Sequence, residues 1–235
     1  RSAPMSSSNS GVSMTVVAVG PGDPQLLTLR GQQALQEADV VVGFQTVLEV
    51  VRPWLGGAEV RPMSYRDQEQ VLEYAAAQAR GGRRCVVCCW GDLNVSAGEL
   101  LARVRRHAGQ VDLIPGISSV QVACARAGIS LEETLFITLH QRRDSTDDLT
   151  ELVWALQGGQ RHIILLPRPW DLMPASIARH LLEAGLPADR AVTVYQRLTL
   201  DGEKEWRGTL AECAALSGDF SDLSIMLFTR PGEGL

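Results

Sequence analysis

No apolar run in this 235-residue chain exceeds about six residues. A membrane-spanning helix needs about 20, so none is expected, and no membrane partner with it. The chain also lacks a stripe of basic residues. Lys and Arg number 22 against 27 Asp and Glu, a net charge of −5. Nucleic-acid binders concentrate positive charge on one face, so no nucleic-acid partner is expected either. Residues 1–13 (RSAPMSSSNSGVS) lack the apolar stretch of a signal peptide. They are expected to be a disordered tail or fusion scar, with Met14 as the true start. The five cysteines include the run Cys85-Val86-Val87-Cys88-Cys89, but no second pair and no nearby His completes a zinc site. An odd spacing puts Cys85 and Cys88 on opposite faces of a strand. Buried structural thiols and no metal site are therefore expected. Unpaired cysteines fit a reducing cytoplasm.

What is present is an alternation of short β-rich runs with amphipathic helical stretches. Strands are expected at 15–19, 39–43, 84–90 and 110–114, with helices at 29–38, 68–80 and 98–106 between them. After Pro115 the pattern restarts: a helix over 118–127, strands at 135–139, 162–166, 191–195 and 223–228, a helix over 174–184, and a hairpin around the Asp201-Gly202 turn. Gln141 to Asp148 (QRRDSTDD) reads as a charged loop. The wording is β-α-β. It predicts an α/β protein with an N-terminal α/β domain over 14–115 and a C-terminal α/β domain over 116–235. Both sheets are expected to be mainly parallel, with the active site in the cleft between the domains.

Three stretches carry candidate chemistry. In GPGDP, Gly20 to Pro24, the glycines tolerate φ > 0 and let a ligand approach the backbone. A dinucleotide fingerprint requires a third glycine where Gln25 stands, a P-loop requires a Lys-Ser/Thr pair, and the two prolines remove amide donors. A phosphate cradle is therefore disfavoured. In WGDLNVSAG, Trp90 to Gly98, Asp92 lies where a parallel strand delivers its C-terminal end, the usual ligand edge of such sheets, although an Asp there also caps helices. In IPGISS, a Pro115-Gly116 turn precedes Ser118 and Ser119, whose hydroxyls sit at a helix start beside free amides.

In this order the three motifs resemble the tetrapyrrole methylases, a family of S-adenosylmethionine-dependent methyltransferases, and the resemblance runs from about Thr15 to Phe228. PGISSVQVACARAG, ITLHQR and FSDLSIMLF are similar to the branch that methylates carbon 5 of precorrin-7 or cobalt-precorrin-7 in cobalamin synthesis. The sequence departs from the family's pattern in several places. Ala18 replaces a glycine, and Trp90 and Leu93 replace the outer residues of the middle motif. A Pro167-Arg168 pair stands where Thr-Asp is usual, and Gln196 stands where an acid is common. The bulk of Trp90 narrows the ligand site or stacks on a ligand.

The resemblance implies S-adenosylmethionine as co-substrate, a tetrapyrrole (precorrin) as substrate, a cytoplasmic homodimer, and methyl transfer to a ring carbon. It places cofactor contacts at Pro21, Gly91, Asp92, Val95, Ser118, Ser119, Pro167 and Leu198. Substrate carboxylates need cations, and Arg142, Arg143, Arg168 and Arg197 are the candidates. His140, just after a strand, is the candidate for substrate contact or proton transfer. Four alternatives stand beside this reading: another tetrapyrrole carbon, a non-tetrapyrrole substrate of the same superfamily, a non-catalytic carrier of a corrin intermediate, or a nicotinamide-dependent reductase. The last would use Glu37 or Asp39 as the acid that follows a dinucleotide loop by roughly 20 residues.

Overall fold

The computed structural model describes residues 14–233. The tail expected over residues 1–13 lies outside them. Two compact units divide between Ile117 and Ser118. Among the described residues no helix is long and apolar enough to cross a membrane.

The first unit is built on five parallel strands: β1 (Met14–Ala18), β2 (Val40–Phe44), β3 (Glu59–Met63), β4 (Cys85–Cys89) and β5 (Asp112–Ile114). They lie in the order β3-β2-β4-β1-β5. Val-rich runs such as MTVVA and VVVGF suit a strand covered on both faces. Here α1 (Leu29–Glu37) and α2 (Gln45–Val51) cover one face, and α3 (Gln68–Arg80) and α4 (Gly98–Ala108) cover the other. Cys85 and Cys89 enter the α3/α4 core and Cys88 enters the α1/α2 core, as their spacing predicts. All five cysteines are free and buried. Each large aliphatic side chain sealed in these cores contributes about 1.5–3 kcal/mol. Local signals fix the helix ends. The Thr28 hydroxyl accepts from the Gly31 amide at 3.0 Å to start α1, and Gly81-Gly82 ends α3.

The second unit holds β6 (Thr134–Thr138), β7 (His162–Leu166), β8 (Ala191–Gln196), β9 (Lys204–Thr209) and β10 (Ser224–Phe228), ordered β6-β7-β10-β8-β9. Its helices are α5 (Ser119–Ala127), α6 (Thr146–Gly158), α7 (Pro174–Glu183) and α8 (Leu210–Ala215). The α/β class holds, but this sheet is mixed. Only β6 and β7 pair in parallel, and the other three pairings are antiparallel. The hairpin around Asp201-Gly202 forces β9 antiparallel to β8, and β10 runs against both its neighbours. Three strands therefore share one direction: β6, β7 and β8. Their C-terminal ends emerge at one edge of the sheet.

Candidate functional site

In the first unit, the chain leaves β1 for α1 on one face of the sheet and leaves β4 for α4 on the other. Because β1 and β4 are neighbours, their exit loops diverge. That is the topological switch point where open α/β sheets bind ligands. The GPGDP loop follows β1 and the WGD loop follows β4, so both motifs flank that point.

The two loops are hydrogen-bonded to each other. The Gly20 amide donates to the Gly91 carbonyl at 3.1 Å, and the Gly91 amide donates to the Gly20 carbonyl at 2.8 Å. Gly20 and Gly91 adopt φ of +83° and +64°, a region L residues with side chains rarely occupy. The third motif joins through Asp92. Its Oδ1 accepts from the Gly116 amide at 2.9 Å, and its Oδ2 accepts from the Asn94 amide at 3.1 Å. Gly116 seats in a space no larger residue fits. A Cβ there would lie 2.7 Å from the Gly91 carbonyl oxygen and 2.8 Å from the Ala18 Cβ. Strand ends dispersed through a hundred residues thus converge into one interlocked cluster. Pro21 is buried within it, and Val95 is half-buried, its amide donating to the Asp92 carbonyl at 3.2 Å.

The residues that depart from the family pattern have clear positions. Leu93 is 2% exposed and belongs to the α3/α4 core. Trp90, expected to narrow the ligand site or stack on a ligand, is half-buried and packs one side against the α1/α2 core. The loop is thereby anchored into both cores by the two side chains that depart from the family pattern. Burial pushes the thiol of Cys89, next to this loop, up to about 12, and the Asp92 charge adds to the shift. That sulfur is no nucleophile at neutral pH. Glu37 and Asp39 lie at the opposite end of the sheet, before the first residue of β2, where Asp39 accepts from the Arg84 amide at 2.8 Å. A dinucleotide-binding acid belongs at the C-terminal end of that strand, so the reductase alternative loses its acid.

In the second unit, the loops after β6, β7 and β8 carry His140, Pro167 and Leu198 to the same sheet edge. Ser118 caps α5: its hydroxyl accepts from the Val120 amide at 3.1 Å, and the Gln121 side chain accepts from the Ser118 amide at 2.7 Å. Ser119 begins the helix and takes no part in that capping box. Leu198 is buried between Arg197 and Thr199, with φ of +53° and +67°. Such left-handed conformations cost about 1–2 kcal/mol per residue, a strain of the kind that gathers at functional sites. Arg197 donates from Nε to the Asp201 carbonyl at 2.9 Å. Arg142 and Arg143 are exposed, and Arg143 pairs with Asp148 at 2.9 Å. The charged stretch from Gln141 is a loop only as far as Ser145, and α6 starts at Thr146.

Arg168, expected on a substrate carboxylate, is committed to the protein. Its Nε and Nη2 grip the Asp171 carboxylate at 2.6 and 2.9 Å. Nη1 donates to the carbonyls of Gln141 and Arg143 at 3.3 and 3.0 Å, and Nη2 donates to the Ser145 hydroxyl at 3.3 Å. These contacts account for all five N–H donors of a guanidinium. The residue is 8% exposed. Sequence reasoning passed over its partners Ser145 and Asp171 and the neighbouring Trp170. Only the composition of the Pro167–Asp171 segment, PRPWD, marks Trp170 and Asp171, and nothing marks Ser145.

Among the described residues no group of three or more His, Cys, Asp or Glu side chains is arranged to hold a metal.

The family model "Tetrapyrrole (Corrin/Porphyrin) Methylases" matches residues 13–214. A siroheme synthase of Neisseria meningitidis serogroup B is 32% identical over 222 residues, covering 88% of this chain and 45% of that protein. The chain thus spans about half the length of that relative. A probable cobalt-precorrin-7 C(5)-methyltransferase of Methanocaldococcus jannaschii is 27% identical over 219 residues, covering 93% of this chain and 98% of that protein. Among solved structures, the uroporphyrin-III C-methyl transferase of Thermus thermophilus complexed with S-adenosylhomocysteine shares the fold with a TM-score of 0.73. It is 22% identical, and the match covers 92% of this chain and 97% of that one.

Proposed function

The chain belongs to the tetrapyrrole (corrin/porphyrin) methylases, a family of S-adenosylmethionine-dependent C-methyltransferases, and from that premise we propose that it methylates ring carbon 5 of precorrin-7 or cobalt-precorrin-7. The observation that carries this reading is the interlock of the GPGD, WGD and PG loops at the switch point of the first sheet. Those loops contain Asp23 and Asp92 and no Lys, Arg or His. This suits a ligand bearing sulfonium and ammonium cations and does not suit a pyrophosphate. The full-length match to a carbon-5 enzyme supports the choice of carbon.

S-adenosylmethionine supplies an electrophilic methyl group on a sulfonium. Pro21, Gly91, Val95, Pro167 and Leu198 would hold it through shape and backbone. Asp92 and Ser118 act by fixing the loop and helix start that present those backbones, since their side-chain oxygens already accept backbone amides. Ser119 offers a hydroxyl at the helix start. The acceptor is a ring carbon made electron-rich by its pyrrole nitrogen, so no covalent enzyme intermediate is needed. The protein's task is alignment and exclusion of water, and alignment alone can contribute about 7–11 kcal/mol. Arg142, Arg143 and Arg197 provide cationic groups for acetate and propionate side chains. Methyl transfer releases S-adenosylhomocysteine as the neutral thioether, and His140, in the loop after β6, is the proposed acceptor of the proton lost from the product. The enzyme is expected to be a cytoplasmic homodimer.

Isothermal titration of the purified protein with S-adenosylhomocysteine, with NADPH as control, tests the cofactor reading. Micromolar binding that is absent with NADPH and lost in Asp92→Ala is the expected result, and binding of NADPH in its place overturns it. Incubation with S-adenosylmethionine and precorrin-7 should then add one methyl group, located at carbon 5 by NMR. A methyl found on another ring carbon would reassign the specificity.

A further inference from the structure

Trp170 is 55% exposed, a large apolar side chain presented to solvent at the edge where β6, β7 and β8 end. It stands at the tip of a short turn after β7, closed by a bridge between Arg168 and Leu172. The His140 ring meets the Trp170 indole edge to face, with centroids 5.7 Å apart and planes at 79°. The Arg168 guanidinium lies over the same indole at 5.6 Å. Through its five hydrogen bonds, Arg168 ties the Trp170 turn to the Gln141–Ser145 loop, which also carries Arg142 and Arg143. A solvent-exposed indole normally samples several rotamers. This one is set by an aromatic edge, a cation and a clamped backbone.

We infer that Trp170 is a stacking platform for one conjugated pyrrole segment of the substrate, and that Arg168 is the positioning residue that holds the platform beside His140. The inference rests on the tetrapyrrole reading given above. The chemistry of the two partners matches. A conjugated macrocycle presents a flat π surface ringed by carboxylates, and this edge presents a flat indole with cationic side chains on the adjoining loop. Arg168 acts on substrate through Trp170 and the loop, and not through direct contact with a carboxylate.

The test uses uroporphyrin III, a stable tetrapyrrole octacarboxylate, titrated into the full chain in the presence of S-adenosylhomocysteine and followed by tryptophan fluorescence and calorimetry. Trp170→Ala should weaken uroporphyrin binding about tenfold, equivalent to about 1.4 kcal/mol. Trp170→Phe should stay within about threefold of the parent, and both variants should keep the parent affinity for S-adenosylhomocysteine. Arg168→Lys retains the charge but cannot reproduce the five-donor fork. As a positioning change it should weaken uroporphyrin about as much as Trp170→Ala, and the double variant should be no weaker than either single one. Parent-like binding by Trp170→Ala would overturn the platform and leave the tetrapyrrole reading standing. Parent-like binding by Arg168→Lys would overturn the positioning role of its five-donor fork. Failure of the unaltered protein to bind uroporphyrin would overturn the platform as a general tetrapyrrole surface, while the carbon-5 reading stands or falls on the precorrin-7 incubation.

Discussion

Single residues decide whether the three loops of the first unit interlock. Gly116 is the tightest of them, because a methyl group there would overlap the Gly91 carbonyl and Ala18 at once. Gly116→Ala should therefore destabilise the protein by about 1–3 kcal/mol in urea denaturation, the usual range for overpacking a closed site. It should also lower affinity for S-adenosylhomocysteine, because the displaced Gly91 lies on the loop that lines the switch point. A stability indistinguishable from the parent would mean that the Pro115-Gly116 turn relaxes freely. Such tightness explains what the sequence hid at this scale. The motif residues were legible one by one, but the compensation for Trp90 and Leu93 was not. Each of these two anchors its loop in a different core, and nothing in their spacing tells which core. Arg168 misled for a related reason. A lone arginine in a sequence carries no mark of whether its donors face solvent or five acceptors of its own chain.

At the scale of elements, the strands and helices with sharp punctuation were legible. The helix at Gln68–Arg80 and the strand at His162–Leu166 fall where the pattern puts them, because Gly81-Gly82 and a compact apolar run mark their ends. Missing from the sequence reading were β3, α2, α6 and α8. β3 is an edge strand whose middle residues are exposed and include Pro62, so it has no apolar alternation. α2 begins at Gln45 directly after β2 ends at Phe44, with no Gly or Pro turn between them to mark its start. The start of α6 is concealed by the charged stretch before it, and α8 is only six residues long. Element packing also carries a pH dependence. Glu69 on α3 accepts from His107 at 2.6 Å and pairs with Arg103 and Arg106, all three on α4. The His107 hydrogen bond, followed by that of Arg103, holds the Glu69 carboxyl down to about 2 from its ordinary 4.5. A depressed acid contributes stability above its unfolded value and loses it as pH falls toward the folded one. The parent should therefore lose stability between pH 4.5 and about 2 more steeply than Glu69→Gln. Melting temperatures across that window supply the check, and parallel curves would show that the α3–α4 pairing contributes nothing.

For the whole molecule, ligand binding and stability are linked. A ligand that binds only the folded state at a hundredfold excess over its Kd adds about 2.7 kcal/mol. For a chain of this length that corresponds to a rise in melting temperature of about 5–10 °C. S-adenosylhomocysteine should produce such a rise and NADPH none, and a rise with NADPH alone would contradict the assignment. The two-part α/β plan was legible because the β-α-β wording stops at Pro115 and begins again. The mixed direction of the second sheet was not, since strand direction depends on which neighbours pair and β10 inserts between β7 and β8 from far along the chain. The Gly20–Gly91 bridge has a last consequence, in the order of synthesis. β1 pairs only with β4 and β5, which the ribosome makes about seventy or more residues later. At roughly 5–20 residues per second, β1 waits several seconds with its valines unpaired. The GPGDP loop that follows it takes shape only when the chain has supplied both partners. The yield of folded protein in the cell is therefore expected to depend on chaperone access in that interval as well as on the stability of the finished protein.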